Sequence, residues 1–346
     1  MGPIYTFFPF LVSCLLALTL TPLVRRLAIG LNCWDQPVDR SVHSNPVPFL
    51  GGLAIYGAFA VTAALFLDLN EPTVQGLLIG GAFIVLLGVV DDLFRLPAWA
   101  KLVGQIVGAL ILVSYGIQID RLSNPWGGFV YFNHWSIPFT VLWVVAFTNS
   151  LNFIDGLDGL AAGVAVIASV SLLTVGIQTG QPVIAVYLTA LVSGAALGFL
   201  PYNFNPAKIF MGDAGAMFLG FALATISVAG TLKSTAAIAL GIPVLALGLP
   251  LMDALFAVVR RYRNGQAIYK PDRGHVHHRL LQLGLNQREV VLLMYGISGW
   301  MGISAMALAN LRLGPGLGVI MFAFISFYFG AKKFGVLDGE RREHTR

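Results

Sequence analysis

The chain has 346 residues, of which 57% are hydrophobic and only 11% charged, with a formal net charge of +5 and a mean hydropathy of +0.80. Soluble domains carry about 45–50% apolar and ~25% charged residues, so a soluble single-core globule is excluded, and so is a disordered chain. At ~20 apolar residues per crossing, the length holds roughly ten or eleven membrane spans with modest loops and no separate soluble domain, so residues 1–346 read as one membrane-embedded unit.

In chain order the candidate spans cover 4–24, 50–67, 74–90, 102–119, 137–147, 160–177, 183–202, 214–231, 236–257, 290–309 and 315–331. The fifth is short, with a start that can lie inside 128–136. No period-two alternation runs through these segments, so they read as helices rather than barrel strands. The expected fold is an all-α polytopic bundle of about eleven transmembrane helices. Cys14 lies in an apolar run and Cys33 in a polar loop, which argues against a disulfide framework or a zinc site. No basic segment precedes the first apolar run, so it reads as a retained helix and not as a cleaved leader.

Arg25 and Arg26 follow that run and put the N-terminus outside. With that start, 18 of the 21 Lys and Arg residues fall on the inner side, and only Arg121, Lys233 and Arg312 fall outside. The positive charge is therefore a topology signal with a cytoplasmic C-terminus, and it does not imply nucleic acid. Thirteen of the 16 acids and five of the six histidines lie on the same inner side. Acids contribute little to orientation, and ionisable groups at span ends are costly and usually functional. The cytoplasmic face reads as a chemical surface.

The first inner loop, Asp39 to Gly52, holds Pro46 and Pro48, which favour extended chain, and Gly51-Gly52, which permits close backbone approach at a helix mouth. The second opens with Asp91-Asp92 directly after an apolar run, and Lys101 stands ten residues on. Two adjacent carboxylates at a membrane boundary repel and call for a cation, either a divalent ion or Lys101. The third loop runs Asn149-Ser-Leu-Asn152-Phe-Ile-Asp155-Gly-Leu-Asp158-Gly159, with two acids, two amides and no basic residue. Asp155 and Asp158 share a face if the segment is helical, and oxygen ligands beside glycines suit a hard cation or the polar edges of a nucleotide.

The fourth loop, Asn203 to Gly220, places Asp213 at the start of a span between Gly212 and Gly215. An N-cap is one reading of Asp213; space for a metal ion is the other. Phe210 can stack on a base or serve as an interfacial aromatic. The ninth run contains Pro243, Pro250 and Asp253, an acid deep enough to require a cavity or the bundle interior. After Arg260, Arg261 and Arg263 comes Pro271-Asp-Arg-Gly-His275-Val-His277-His278-Arg279-Leu280. Its imidazoles and guanidiniums form an anion-binding cluster suited to phosphate. Zinc is the rival reading of His277-His278, but no Cys or Glu follows at the usual spacing.

Taken together, Asp91-Asp92, Asn152-Phe-Ile-Asp155-Gly-Leu-Asp158-Gly, Phe210-Met-Gly-Asp213-Ala-Gly and His275-Val-His277-His278-Arg279-Leu280 resemble the motifs of the polyprenyl-phosphate N-acetylhexosamine-1-phosphate transferases, glycosyltransferase family 4. The likeness is stronger to the GlcNAc-1-phosphate branch than to the muramyl-pentapeptide branch. It implies an enzyme of the bacterial cytoplasmic membrane, with its active site facing the cytoplasm, that transfers a sugar-1-phosphate from a UDP-N-acetylhexosamine to undecaprenyl phosphate. UMP is released, and the lipid-linked diphosphate sugar feeds cell-envelope polysaccharide synthesis. It implies a need for Mg²⁺ or Mn²⁺, with Asp213 and Asn152 as metal ligands. Asp155 and Asp158 would line the nucleotide and metal pocket, and Phe210 would stack on uracil. Asp91, Asp92 and Lys101 would sit at the lipid phosphate. His275, His277, His278 and Arg279 would hold the donor diphosphate. A homodimer is left open. Transfer of UDP-MurNAc-pentapeptide is the alternative within the family. A transporter is the alternative outside it, since proline-broken spans with buried acids also build transport sites, but the acids here gather on one side.

Overall fold

Each apolar run folds as a helix or a pair of helices in the computed structural model, which describes residues 4–36, 46–123, 128–231, 240–266, 274–309, 311 and 313–333. The helices are α1 (Ile4–Gly30), α2 (Gly51–Phe66), α3 (Pro72–Phe94), α4 (Ala98–Ser114), α5 (Ser136–Ile154), α6 (Leu160–Thr179), α7 (Val183–Asn203), α8 (Gly212–Thr231), α9 (Gly241–Ala246), α10 (Gly248–Arg263), α11 (Val276–Gln282), α12 (Gln287–Ala309) and α13 (Leu313–Lys333). Two small antiparallel ribbons accompany them: β1 (Trp34–Asp35) with β2 (Val47–Pro48), and β3 (Arg121–Ser123) with β4 (Phe129–Tyr131).

Among the described residues seven helices are long and apolar enough to cross a membrane, and three shorter apolar helices, Gly51–Phe66, Ala98–Ser114 and Gly314–Gly330, accompany them. The chain is an all-α membrane protein.

Three elements differ from the sequence expectation. The fifth helix runs on to Ile154 and takes in Asn149, Ser150 and Asn152. Its polar groups are satisfied from within: Asn149 pairs with Gln105 of α4, and Ser150 Oγ donates to the Ala146 carbonyl at 2.7 Å. The ninth run breaks at Leu247 into α9 and α10. Pro250 has no N–H to give and crowds the carbonyl four residues earlier, which interrupts a helix at this point. The seven-residue α11 had no counterpart among the apolar runs, because only Val276, Leu280 and Leu281 mark its buried side.

The centre of the bundle is α8, with 89% of its span buried, packed against α3, α5, α2 and α7. Small residues set these crossings, as they do between membrane helices generally. A Cβ at Gly88 of α3 would meet the α8 backbone at Asp213, 2.8 Å away, and one at Gly220 of α8 would meet the Phe147 carbonyl of α5 at 2.6 Å. On either side, α1 packs against α7 and α2, and α6 against α7 and α12.

The chain passes up and down so that the ends of α1, α3, α5 and α7 and the starts of α2, α4, α6 and α8 meet around one cavity. Backbone pairing ties the loops there: Gly51 and Gly52 N–H donate to the Phe210 and Met211 carbonyls at 2.9 and 2.8 Å, and Phe210 N–H to the Pro48 carbonyl at 2.9 Å. The close approach expected at Gly51-Gly52 is thus made by the segment leading into α8. Asp39 to Ser44 and Pro271 to Arg273 lie outside the described residues.

Candidate active site

The cavity holds about 700 Å³ and is lined by Asp91, Asp92, Lys101, Asp155, Asp158, Phe210, Asp213 and His278, all singled out from sequence. With Asp35, six carboxylates from four loops share it with Lys101 and Arg95.

Their partners separate them. Asp91 is buried at the end of α3, where Oδ1 accepts from Leu96 N–H at 2.8 Å and the other oxygen is ion-paired with Lys101. Lys101 Nζ also reaches Asp213 Oδ2 at 2.8 Å, so one ammonium bridges the second and fourth loops. Asp213 is further hydrogen-bonded by the Asn152 side chain. Asp92 does not touch Lys101. Its carboxylate accepts from Asp213 N–H at 2.8 Å and Ala214 N–H at 3.4 Å, at the N-terminus of α8. The N-cap reading entertained for Asp213 therefore describes Asp92, supplied from α3. Gly212, with φ +69°, leaves the space that this carboxylate fills.

Asp155 and Asp158 also part company. Asp158 Oδ2 accepts from Asn205 Nδ2 and Ala207 N–H, both at 3.0 Å, and so fixes the loop between α7 and α8. Asp155 faces the cavity and has no donor partner among the described residues. Burial first, and then the charges of Asp213, Asp92 and Asp158, push its carboxyl well above the usual carboxylate range.

The histidine stretch divides in the same way. His275 Nδ1 meets Asp253 Oδ2 at 2.7 Å, and Val276 N–H donates to Asp253 Oδ1 at 2.9 Å. The deep acid of the ninth run thus holds the start of α11. His277 is buried against Gly156, where a Cβ would come within 2.5 Å of its Nε2. Burial pushes its imidazole down to about 3, with Asp253 opposing that shift and His278 and His275 adding to it. It is therefore neutral at pH 7 and adds no charge to the anion-binding cluster read from the sequence. Of this stretch His278 alone lines the cavity, and Arg279 donates from Nη1 to Gln282 at 3.2 Å. Asp35 and Gln287 also line the cavity and carried no sequence signal, since each is a lone polar residue without a motif spacing.

The donor set suits a hard divalent cation. Asp213, Asn152 and Asp155 offer oxygen, and Asp155 has only negative neighbours to answer its charge. Among the described residues no three His, Cys, Asp or Glu side chains form a ready-made metal cage. Mg²⁺ needs no complete protein cage, since it keeps several waters and binds through one or two carboxylates plus substrate phosphates.

Fold and site together define a polytopic membrane protein with its polar chemistry collected in one acidic cavity at one end of the bundle. Glycosyl transferase family 4 matches residues 74–231, the segment from α3 through α8. The chain is 39% identical over 340 residues to a probable undecaprenyl-phosphate N-acetylglucosaminyl 1-phosphate transferase of Bacillus subtilis, covering 97% of this chain and 94% of that protein. It is 37% identical over 331 residues to a decaprenyl-phosphate N-acetylglucosaminephosphotransferase of Mycobacterium leprae, covering 87% and 82%. An undecaprenyl-phosphate alpha-N-acetylglucosaminyl 1-phosphate transferase of Escherichia coli is 29% identical over 285 residues, covering 78% and 75%. The chain belongs to glycosyl transferase family 4.

Proposed function

We propose that this protein transfers N-acetylglucosamine-1-phosphate from UDP-N-acetylglucosamine to undecaprenyl phosphate, releasing UMP and leaving a lipid-linked diphosphate sugar for cell-envelope polysaccharide synthesis. The observation that carries the reading is the cavity itself, with six carboxylates and Lys101 at the end of a membrane bundle. A lipid phosphate and a nucleotide diphosphate can meet there. The relatives' names supply acceptor and sugar, and favour N-acetylglucosamine over a muramyl peptide.

Displacement at a phosphoryl group depends on positioning and charge neutralisation more than on a strong nucleophile. In this reading Asp213 and Asn152 would hold Mg²⁺ or Mn²⁺, with Asp155 beside them, and a bound ion would supply charge neutralisation for the diphosphate. Asp92, fixed by two backbone N–H groups, sets the position of the α8 terminus. Asp91 and Lys101 face the lipid phosphate, Phe210 stacks on the uracil, and His278 and Arg279 hold the donor phosphates, with His275 and His277 shaping their helix. The lipid phosphate is already largely ionised at neutral pH, so a general base gains little.

The same reading has eleven spans, an outer N-terminus and an inner C-terminus, in the bacterial cytoplasmic membrane with the cavity facing the cytoplasm. Its support is the 18-to-3 division of Lys and Arg. A cysteine introduced at Asn70 should then react with an impermeant reagent from outside, and one at Asn205 or Gln266 should not. For the chemistry, the purified protein is given undecaprenyl phosphate with UDP-GlcNAc, UDP-GalNAc or UDP-MurNAc-pentapeptide, and the lipid product is weighed by mass spectrometry. The GlcNAc-diphosphate lipid is expected; a muramyl product would assign the chain to the other branch.

A further inference from the structure

Lys101 is the lysine among the described residues lining a cavity that carries six carboxylates, and it holds two of them; Arg95 also lines the cavity, with no ion pair to these two. It rises from the first turn of α4 and crosses to Asp213 of α8 while pairing with Asp91 of α3. The two carboxylates lie close enough to share that ammonium, and without it their charges would repel. Asp213 Oδ2, the oxygen that Lys101 occupies, belongs to the residue best placed to bind a divalent ion, with Asn152 on the same carboxylate. Lys101 and Asp213 both keep about 30% of their side-chain surface, at 29% and 30%, whereas Asp91 keeps 2%. Lys101 thus lines the cavity with part of its side chain open, on a flexible four-carbon stem that bears a compact, strongly hydrated charge. Asp92 and Asp158, by contrast, are satisfied by fixed amide donors that no incoming cation needs to displace.

We infer that Lys101 is a placeholder cation: in the metal-free protein its ammonium keeps Asp91 and Asp213 together, and divalent ion entry frees it from Asp213 for the substrate phosphates in the same cavity. This rests on the metal reading given above, and it adds that the protein carries its own competitor for the ion. Binding of the ion and release of the lysine are then one exchange, so the ammonium becomes available to an anion only when the site is charged.

The test measures Mn²⁺ binding to purified protein without either substrate, by electron paramagnetic resonance. Lys101→Gln removes the competitor at nearly equal length, so Mn²⁺ affinity should rise by about tenfold or more, the usual weight of a charge-assisted contact. Lys101→Arg keeps a fixed charge and should show no such rise. In the wild type, Mn²⁺ should increase the reactivity of Lys101 toward an amine-selective acylating reagent, a readout that does not depend on any variant folding. Unchanged or weaker Mn²⁺ binding in Lys101→Gln, or protection of Lys101 by the ion, would overturn the inference. Absence of Mn²⁺ binding to the wild type would instead remove the metal reading beneath it.

Discussion

Asp155 and Asp158 stand three residues apart, and the sequence treats them alike. The fold gives one an open position and the other two donors. Asp158→Ala removes both hydrogen bonds to the loop after α7, each to a charged acceptor, and should cost roughly 2–3 kcal/mol of stability, seen as a lower melting temperature in detergent. Asp155→Asn removes a buried charge surrounded by other carboxylates. In metal-free buffer at neutral pH it should melt no lower than wild type, while turnover falls at least a hundredfold. Equal melting behaviour in the two variants would contradict this division. The histidines carry the same lesson. Their spacing shows a cluster, but only the turn into α11 and the presence of Asp253 decide which of them meets the cavity. His277 titrates at about 3 when folded and at 6.5 ordinarily. Below pH 6.5 the unfolded imidazole takes up a proton that the folded one refuses. Stability present above pH 6.5 is therefore lost as pH falls toward 3, by about 1.4 kcal/mol per unit. Melting between pH 7 and 5.5 should show that slope, and His277→Asn should flatten it.

At the scale of elements, hydrophobic runs revealed the helices because lipid-facing and buried positions alike are apolar, so ten of the eleven runs correspond to single helices. Pro243 and Pro250 stood in the remaining run, yet a proline in a membrane helix kinks as often as it breaks, and only packing shows the stop at Leu247. Ends were less legible. Asn149 and Asn152 read as loop because their partners Gln105 and Asp213 are 44 and 61 positions away in sequence. The junction of α3 and α8 depends on glycine in the same hidden way. Gly212 combines φ +69° with a side-chain position already taken by Asp92. Gly212→Ala should lose about 1–2 kcal/mol from the left-handed backbone alone and more from displaced Asp92, with activity falling alongside. Gly296→Ala, in the interior of α12 with nothing within 4 Å, should be neutral or stabilising by about 0.5–1 kcal/mol. A calorimetric comparison of the two variants checks the argument, and equal losses would refute it.

For the molecule as a whole, the gathering of 13 acids on one side of the sequence-derived topology has its counterpart in one acidic cavity at one end of the bundle. The grouping was legible because loops that alternate between two faces must meet their own kind. The wiring was not, because Lys101 with Asp213 and Asp92 with the α8 terminus are contacts between distant segments. The central claim is that this cavity moves a sugar together with its phosphate. The direct measurement identifies the nucleotide released when purified protein, Mg²⁺, undecaprenyl phosphate and UDP-GlcNAc react. The proposed chemistry yields UMP, one per lipid-linked diphosphate sugar. Release of UDP would mean that the sugar alone is transferred and would contradict the account.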